Sequence, residues 1–360
     1  MATPRSDWLK NAPQTATTSR ADTPIFPFLA KLMRREHLTE EEASAFLRAL
    51  TDPAAGSNQV AAALTALTIK GETPEELAGM ARVMRELAIK VKAPKTAVDI
   101  AGTGSSSART FSVSTAAALV AAEAGLIVAK QSNRGVMTKG GSTDTLADLG
   151  VKAASEAPLA QSLITGTGVA FMSAPHFHPA LRRIADVRAK LGIRTCMNVL
   201  GLLANPAGVR RHLIGVWHRS LVEPVSRALA LLGAENAWVV HGSDGLDEIT
   251  LTGKTVVGAV KNGEVRPYYI SPSDFDIKPS KIDALRTTTA KENAAIIRDV
   301  LAGRGRDEAR SLVILNAAAA LFIGGLAADP IQAARLAERS IDSGMAQNKL
   351  DRLIQVSAKR

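Results

Sequence analysis

Residues 99–115 read DIAGTGSSSARTFSVST: an apolar strand end, Gly102 and Gly104, and hydroxyls at Thr103, Ser105, Ser106, Ser112, Ser114 and Thr115. Glycine lets a backbone approach a ligand closely and adopt positive φ. Free amides at a helix start, joined by hydroxyls, hold an anion. The stretch has neither a Walker lysine nor a dinucleotide fingerprint. A phosphate turn and an ordinary capped strand-to-helix turn both fit it.

A second cluster follows, with Lys130, Gln131, Ser132 and Asn133 and then Lys139-Gly140-Gly141-Ser142-Thr143-Asp144. Lysine neutralises phosphate charge, while Asn and Ser donate in fixed directions. A third cluster, His241-Gly242-Ser243-Asp244-Gly245-Leu246-Asp247-Glu248, sets three carboxylates within five residues. Adjacent acids repel unless a cation neutralises them, and Mg²⁺ takes one or two carboxylates together with phosphate oxygens. A surface acidic turn is the alternative. The fourth, Ala174-Pro175-His176-Phe177-His178-Pro179, precedes Arg188 and Arg194, expected on one basic helix. Either guanidinium could clamp a carboxylate. The two histidines lack a third ligand nearby in sequence, so zinc is not expected. Cys196, in the apolar run RTCMNVL, reads as core rather than nucleophile.

These residues need elements to position them. Residues 24–92 carry only helical periodicity, with Thr39 and Glu42 spaced as a capping box. From Ala93-Pro94 the rhythm becomes βαβ, which calls for a parallel sheet. Strands are expected at TAVDIAG, LIVAK, VAFMSA, HLIGVW, AWVVHG and KTVVGAV, and helices at 219–232, 290–303 and 307–324. A helix flanked by loops is expected in PHFHPALRRIADVRAKLG. In a parallel sheet the first two clusters fall at the carboxyl edge, where ligands bind.

The fold class expected is α/β: a small helical domain, residues 24–92 plus about 178–192, and a larger α/β domain, 93–177 and 193–360, with the active cleft between them. Residues 1–23, without an apolar signal core, read as a flexible arm. No apolar run is long enough to cross a bilayer, and one cysteine among 360 residues allows no internal disulfide, which fits a reducing cytoplasm. The net charge of +10 is uneven: residues 181–220 hold eight arginines and lysines against Asp186, a local balance of +7. Such a segment implies anionic partners or solvated helix faces.

Taken in order along the chain, these segments resemble the anthranilate phosphoribosyltransferase family, whose fold is shared with the pyrimidine nucleoside phosphorylases. AGTGSSS aligns with the family's Gly-Thr-Gly-Gly-Asp loop, FSVST with Asn-(Ile/Val)-Ser-Thr and KQSNR with Lys-His-Gly-Asn-Arg. GGSTDTLADLG, APHFHPALRRIADVRAKLGIRT, MNVLGLLANP and HGSDGLDEI follow, so the resemblance spans about residues 24–345. It implies a Mg²⁺-dependent transfer of phosphoribosyl from phosphoribosyl pyrophosphate to anthranilate or a related aromatic acid, a tryptophan-biosynthesis type reaction.

By the same resemblance, Gly102, Thr103, Gly104, Ser105, Ser106, Ser112, Ser114, Thr115, Lys130, Asn133 and Ser142 would hold the donor. Gln131, Asn133, His178 and Arg188 would face the acceptor, and Ser114, Asp247 and Glu248 would serve Mg²⁺. No acid or base is assigned. The resemblance also implies a homodimer through the helical domain. The sequence departs from the family at Ser105 and Ser106 (family Gly and Asp), Ser112 (Asn), Gln131-Ser132 (His-Gly) and Leu202-Leu203-Ala204 (Pro-Leu-Thr). Two alternatives remain: a paralogue that binds another anion such as nucleic acid, and a phosphorylase-like enzyme using inorganic phosphate.

Overall fold

The computed structural model describes residues 23–104, 108, 110–133 and 141–358. The arm expected over 1–23 therefore falls, but for Thr23, outside the described residues, as do Ser105 and Ser106.

The chain opens with four helices: α1 (Phe26–Met33), α2 (Glu40–Thr51), α3 (Ser57–Lys70) and α4 (Pro74–Leu87). Thr39 and Thr73 start α2 and α4 with complete capping boxes closed by Glu42 and Glu76, each tying two otherwise free amides. Glu76 is also fully buried, where it accepts from Leu38 N and from Lys70 Nζ at 2.8 Å each.

The rest alternates. β1 (Val98–Gly102), α5 (Val113–Glu123), β2 (Val128–Ser132), α6 (Ser142–Asp148), α7 (Ala157–Thr167), β3 (Val169–Ser173), α8 (Ala174–Phe177), α9 (Arg182–Leu191) and α10 (Met197–Leu203) come first. Next are β4 (Arg211–Gly215), α11 (Val222–Leu231), β5 (Asn236–Gly242), β6 (Thr255–Lys261) and β7 (Glu264–Ile270). The chain ends with α12 (Ala290–Leu301), α13 (Asp307–Gly324), α14 (Pro330–Asp342) and α15 (Met345–Ala358).

One seven-stranded sheet runs in the order β3-β2-β1-β4-β5-β6-β7. β1 to β5 are parallel, and β6 and β7 are antiparallel. Side chains alternate across the sheet, as strand geometry requires. Val98, Ile100, Leu213 and Trp238 join a core with α5 and α13. Ala101, Ile214 and Val239 join a second core with α1–α4 and α9–α11. Alanine in α5 and α13 allows close approach; a Cβ on Gly324 would already stand 2.3 Å from Leu126.

All six expected strands form. β7 is additional, an exposed edge strand joined to β6 by Asn262-Gly263, both at positive φ. The single helix expected after Pro175 is instead broken: α8 ends at Phe177, a 3₁₀ turn spans Pro179–Leu181, and α9 begins at Arg182. Proline at 179 removes the amide that would continue the helix. At the other end Gly192, at φ +64, closes α9, so Arg194 lies beyond the helix and not on it. Helix α10 was not anticipated.

The +7 segment is largely occupied with internal contacts. Arg183 donates to the carbonyls of Asp52, Pro53 and Ala55 at the end of α2. Arg210 and Arg211 pair with Glu235, and Arg211 also reaches Gly324 O at 2.6 Å. Arg194 stacks on Trp217 at 5.6 Å and Arg219 on Tyr269 at 5.7 Å.

Candidate active site

The strand order reverses between β1 and β4, and a cavity of about 720 Å³ opens at the carboxyl edge there. Open α/β sheets bind ligands in that crevice. Gly102 and Gly215 are cross-strand neighbours at the ends of β1 and β4. The acidic turn after β5 lies against both. A Cβ at Gly102 would stand 3.2 Å from the Asp247 carbonyl oxygen, and one at Gly215 only 1.5 Å from it. Thus Asp247 enters the site because two facing glycines leave a slot for its backbone.

Its carboxylate then organises the glycine turn. Asp247 Oδ2 accepts from Thr103 Oγ1 at 2.7 Å and from Gly104 N at 2.8 Å. Gly104 has φ +63, open to glycine at no steric cost. Asp244, the third carboxylate of the turn, is consumed locally by Leu246 N, Thr250 Oγ1 and Thr252 Oγ1. The turn therefore offers two acids to the cavity rather than three. Glu248 Oε1 accepts from Ser114 N at 3.2 Å at the start of α5, and its Oε2 is buried without a partner among the described residues. Burial and the neighbouring Asp247 hold the Glu248 carboxyl well above the usual range.

Lys130 is 2 % exposed in the middle of β2. Its ammonium donates to Ile100 O at 2.5 Å and to Ser114 Oγ at 3.2 Å. Burial pulls its pKa down, while Asp99, Glu248 and Asp247 oppose that pull. Asn133 follows on an exposed turn, its carbonyl accepting from Ser142 Oγ and Thr143 N at 3.2 Å each. Ser112 Oγ lies 3.1 Å from Thr145 Oγ1. Asn293, from α12, reaches both hydroxyls and accepts from Thr287 Oγ1 at 2.5 Å.

Gln131 and His178 meet on another part of the wall, Oε1 to Nε2 at 3.3 Å. Burial pushes His178 down to about 4, so its ring is neutral at pH 7. Arg188 projects from α9 and donates to Asn198 Oδ1 at 3.0 Å, while its Nε has no partner among the described residues. Met84, Leu181, Ile184, Met197 and Leu202 supply an apolar lining beside it.

The cavity thus gathers Gly102, Thr103, Gly104, Ser112, Ser114, Lys130, Gln131, Asn133, Ser142, His178, Arg188, Asp247 and Glu248. Thr115 is different: fully buried in α5 and outside the cavity wall. Sequence reasoning missed Asn198, Thr287 and Asn293, which also line it. Only Asn198 carried a hint, since it sits inside the quoted MNVLGLL.

Known proteins resemble this chain over most of its length. Residues 26–88 match the helical bundle domain of the glycosyl transferase family, and residues 94–347 its a/b domain. The anthranilate phosphoribosyltransferase of Rubrobacter xylanophilus is 44 % identical over 329 residues, 91 % of this chain and 96 % of that one. That of Methylocella silvestris is 43 % identical, over 92 % and 95 %. The crystal structure of the Thermus thermophilus enzyme superposes with a TM-score of 0.85 at 37 % identity, covering 91 % of this chain and 98 % of that one. The Saccharomyces cerevisiae enzyme in complex with PRPP and Mg gives 0.84 at 25 % identity, over 94 % and 99 %. The chain belongs to the anthranilate phosphoribosyltransferase family.

Proposed function

We propose that the protein moves the 5-phosphoribosyl group from phosphoribosyl pyrophosphate to the amine of anthranilate or a related aromatic acid, releasing pyrophosphate. The observation that carries this reading is one cavity with two unlike walls. A cationic, hydroxyl-rich wall holds Lys130 and the Thr103-Gly104 turn. An apolar wall ends in the planar fork of Arg188.

In this reading Gly102, Thr103, Gly104, Ser112, Ser114, Lys130 and Ser142 hold the donor's phosphates and ribose. Gln131, Asn133, His178 and Arg188 face the acceptor, with Arg188 on its carboxylate. The buried, half-partnered Glu248, with Asp247 and Ser114 Oγ, forms a hard oxygen set that suits Mg²⁺. When bound there, Mg²⁺ would neutralise charge on the departing pyrophosphate.

The rest is done by the chain. The carbon–oxygen bond at C1 breaks with its electron pair leaving on pyrophosphate, and the amine nitrogen forms the new bond to C1 before losing a proton. Lys130 stabilises the charge that develops on the leaving group. Neutral His178 meets the amine as a dipole, not as a competing cation. Arg188 and the apolar lining fix the acceptor's orientation, which supplies the proximity term.

We further propose that residues 24–92 with about 178–192 form the helical domain, 93–177 and 193–360 the α/β domain, and that the protein is a cytoplasmic homodimer. Phe26, Met33 and Ile69 are exposed on α1 and α3, in support of pairing through that layer. No described helix is long and apolar enough to cross a membrane. Calorimetric titration of phosphoribosyl pyrophosphate with and without Mg²⁺, followed by an assay for loss of anthranilate, tests the activity. Absence of Mg²⁺-dependent donor binding would overturn it. Light scattering tests the dimer.

A further inference from the structure

Ser112 precedes α5 at the N-cap position, yet its side chain caps no α5 amide. Its hydroxyl is directed instead to Thr145 and Asn293. The surrounding backbone supports the same link: Thr110 and Arg286 form an isolated antiparallel bridge that joins the loop after β1 to the segment before α12.

The hydrogens of this network can be assigned in order. Thr287 donates to Asn293 Oδ1 at 2.5 Å, which fixes the amide's orientation. The two Nδ2 hydrogens then go to Ser112 Oγ at 3.4 Å and Thr145 Oγ1 at 3.3 Å. Thr145 is fully buried, and the acceptor for its hydroxyl hydrogen among the described residues is Ser112 Oγ at 3.1 Å. Ser112 Oγ therefore accepts twice, and none of these partners takes its own hydrogen. Ser112, Thr287 and Asn293 all line the cavity. An O–H donor left over on such a wall finds its strongest acceptor in an anionic oxygen.

We propose that Asn293 is a positioning residue, which orders this network so that the Ser112 hydroxyl donates to a phosphate group of the donor substrate. The inference rests on the donor reading above and deepens it. Asn293 does not touch the reacting atoms; it acts through Ser112.

The test compares the full-length protein with Ser112→Ala, Ser112→Thr, Asn293→Asp and the double variant Ser112→Ala/Asn293→Asp. Each is titrated calorimetrically with phosphoribosyl pyrophosphate and Mg²⁺, and its kcat and both KM values are measured. A carboxylate at 293 only accepts, so it draws the Ser112 hydrogen away from the ligand. Ser112→Ala and Asn293→Asp should each weaken donor affinity by about tenfold to a hundredfold, with the acceptor KM unchanged. Ser112→Thr keeps the hydroxyl and should restore most of the affinity.

In the double variant the second change should add no more than about twofold, because both act on one hydrogen bond. A simple structural or charge effect would add in full and would overturn the proposal. So would wild-type affinity in Ser112→Ala, which decides the matter alone if Asn293→Asp fails to fold. If the wild-type protein binds no donor at all, the functional reading fails first, and this inference with it.

Discussion

Gly215 and Asp247 are packed so closely that a methyl group on the first would stand 1.5 Å from the carbonyl oxygen of the second. No side-chain rotation relieves that contact, because the obstacle is backbone. Gly215→Ala should displace the acidic turn and cost about 3 kcal/mol or more, the upper range of overpacking. Donor binding should fall with it, since Asp247 holds the Thr103-Gly104 turn. Denaturant unfolding together with donor titration checks both effects; unchanged stability would show that the turn can move at little cost.

Glu248→Gln probes the cation set. Glu248 is held near Asp247 with one oxygen unpartnered among the described residues. Removing its charge should leave the Mg²⁺-free protein at least as stable as before. Mg²⁺ at about 100 times its Kd should stabilise the wild type by about 2.7 kcal/mol, and most of that gain should vanish in the variant. A thermal shift series with and without Mg²⁺ reads this directly. Equal gains in both proteins would remove Glu248 from the site.

Arg188→Lys keeps the charge and loses the fork. Lysine cannot reproduce a planar bidentate grip, and the bond to Asn198 would go with it. The acceptor KM should rise by roughly ten- to a hundredfold, while donor affinity stays near its original value. Steady-state kinetics with each substrate varied in turn separate the two; a rise in donor KM alone would contradict the assignment.

Buried histidines set the acid limit of stability. His178 is pushed down to about 4 and His212 to about 3, in both cases chiefly by burial. Among the described residues, neither ring nitrogen of His212 has a hydrogen-bond partner of normal geometry. A depressed histidine contributes stability that is intact above about 6.5, its unfolded value. That stability is lost as pH falls toward the folded value. Asp99, raised to about 6 by burial, works in the opposite sense: its protonated form is favoured, and that contribution fades as pH rises from about 4 to 6. His212→Leu should therefore flatten the acid limb and stabilise the fold by about 1 kcal/mol at pH 7. Denaturation midpoints at pH 7 and pH 5 test this; an unchanged slope would show that His212 is not the group responsible.

Much of this was legible from local chemistry. Five of the six strands stood out because parallel strands buried on both faces read as short apolar runs, and antiparallel β6 stood out because TVVGAV is nearly as apolar. The clusters at Thr103 and Lys130 could be placed together because a parallel sheet delivers the loop after each strand to one edge; the acidic turn at Asp247 joined them only through the family resemblance. β7 escaped because EVRPYYI is an exposed edge strand with no apolar alternation, although the Asn262-Gly263 dipeptide before it is a strong hairpin signal. Asn293 escaped for a different reason. It lies more than 180 residues from Ser112, and nothing local distinguishes it from an ordinary helix asparagine. Asp244 was counted with its neighbours because sequence shows charge but not which hydroxyls neutralise it.

Arg188 belongs to α9, and α9 is fastened to the bundle rather than to the sheet. Ile184 and Val187 enter the core shared with Phe46, and Arg183 grips the carbonyls at the end of α2. Lys130 projects from the middle of β2, and Thr103 and the acidic turn follow the ends of β1 and β5. On the proposed assignment, the acceptor's carboxylate is gripped from a helix of the bundle and the phosphates from the strands and strand-end loops of the sheet. Repacking the helices can retune which aromatic acid is taken while the phosphate machinery keeps its geometry. Selection can therefore change the guest at one wall without rebuilding the other.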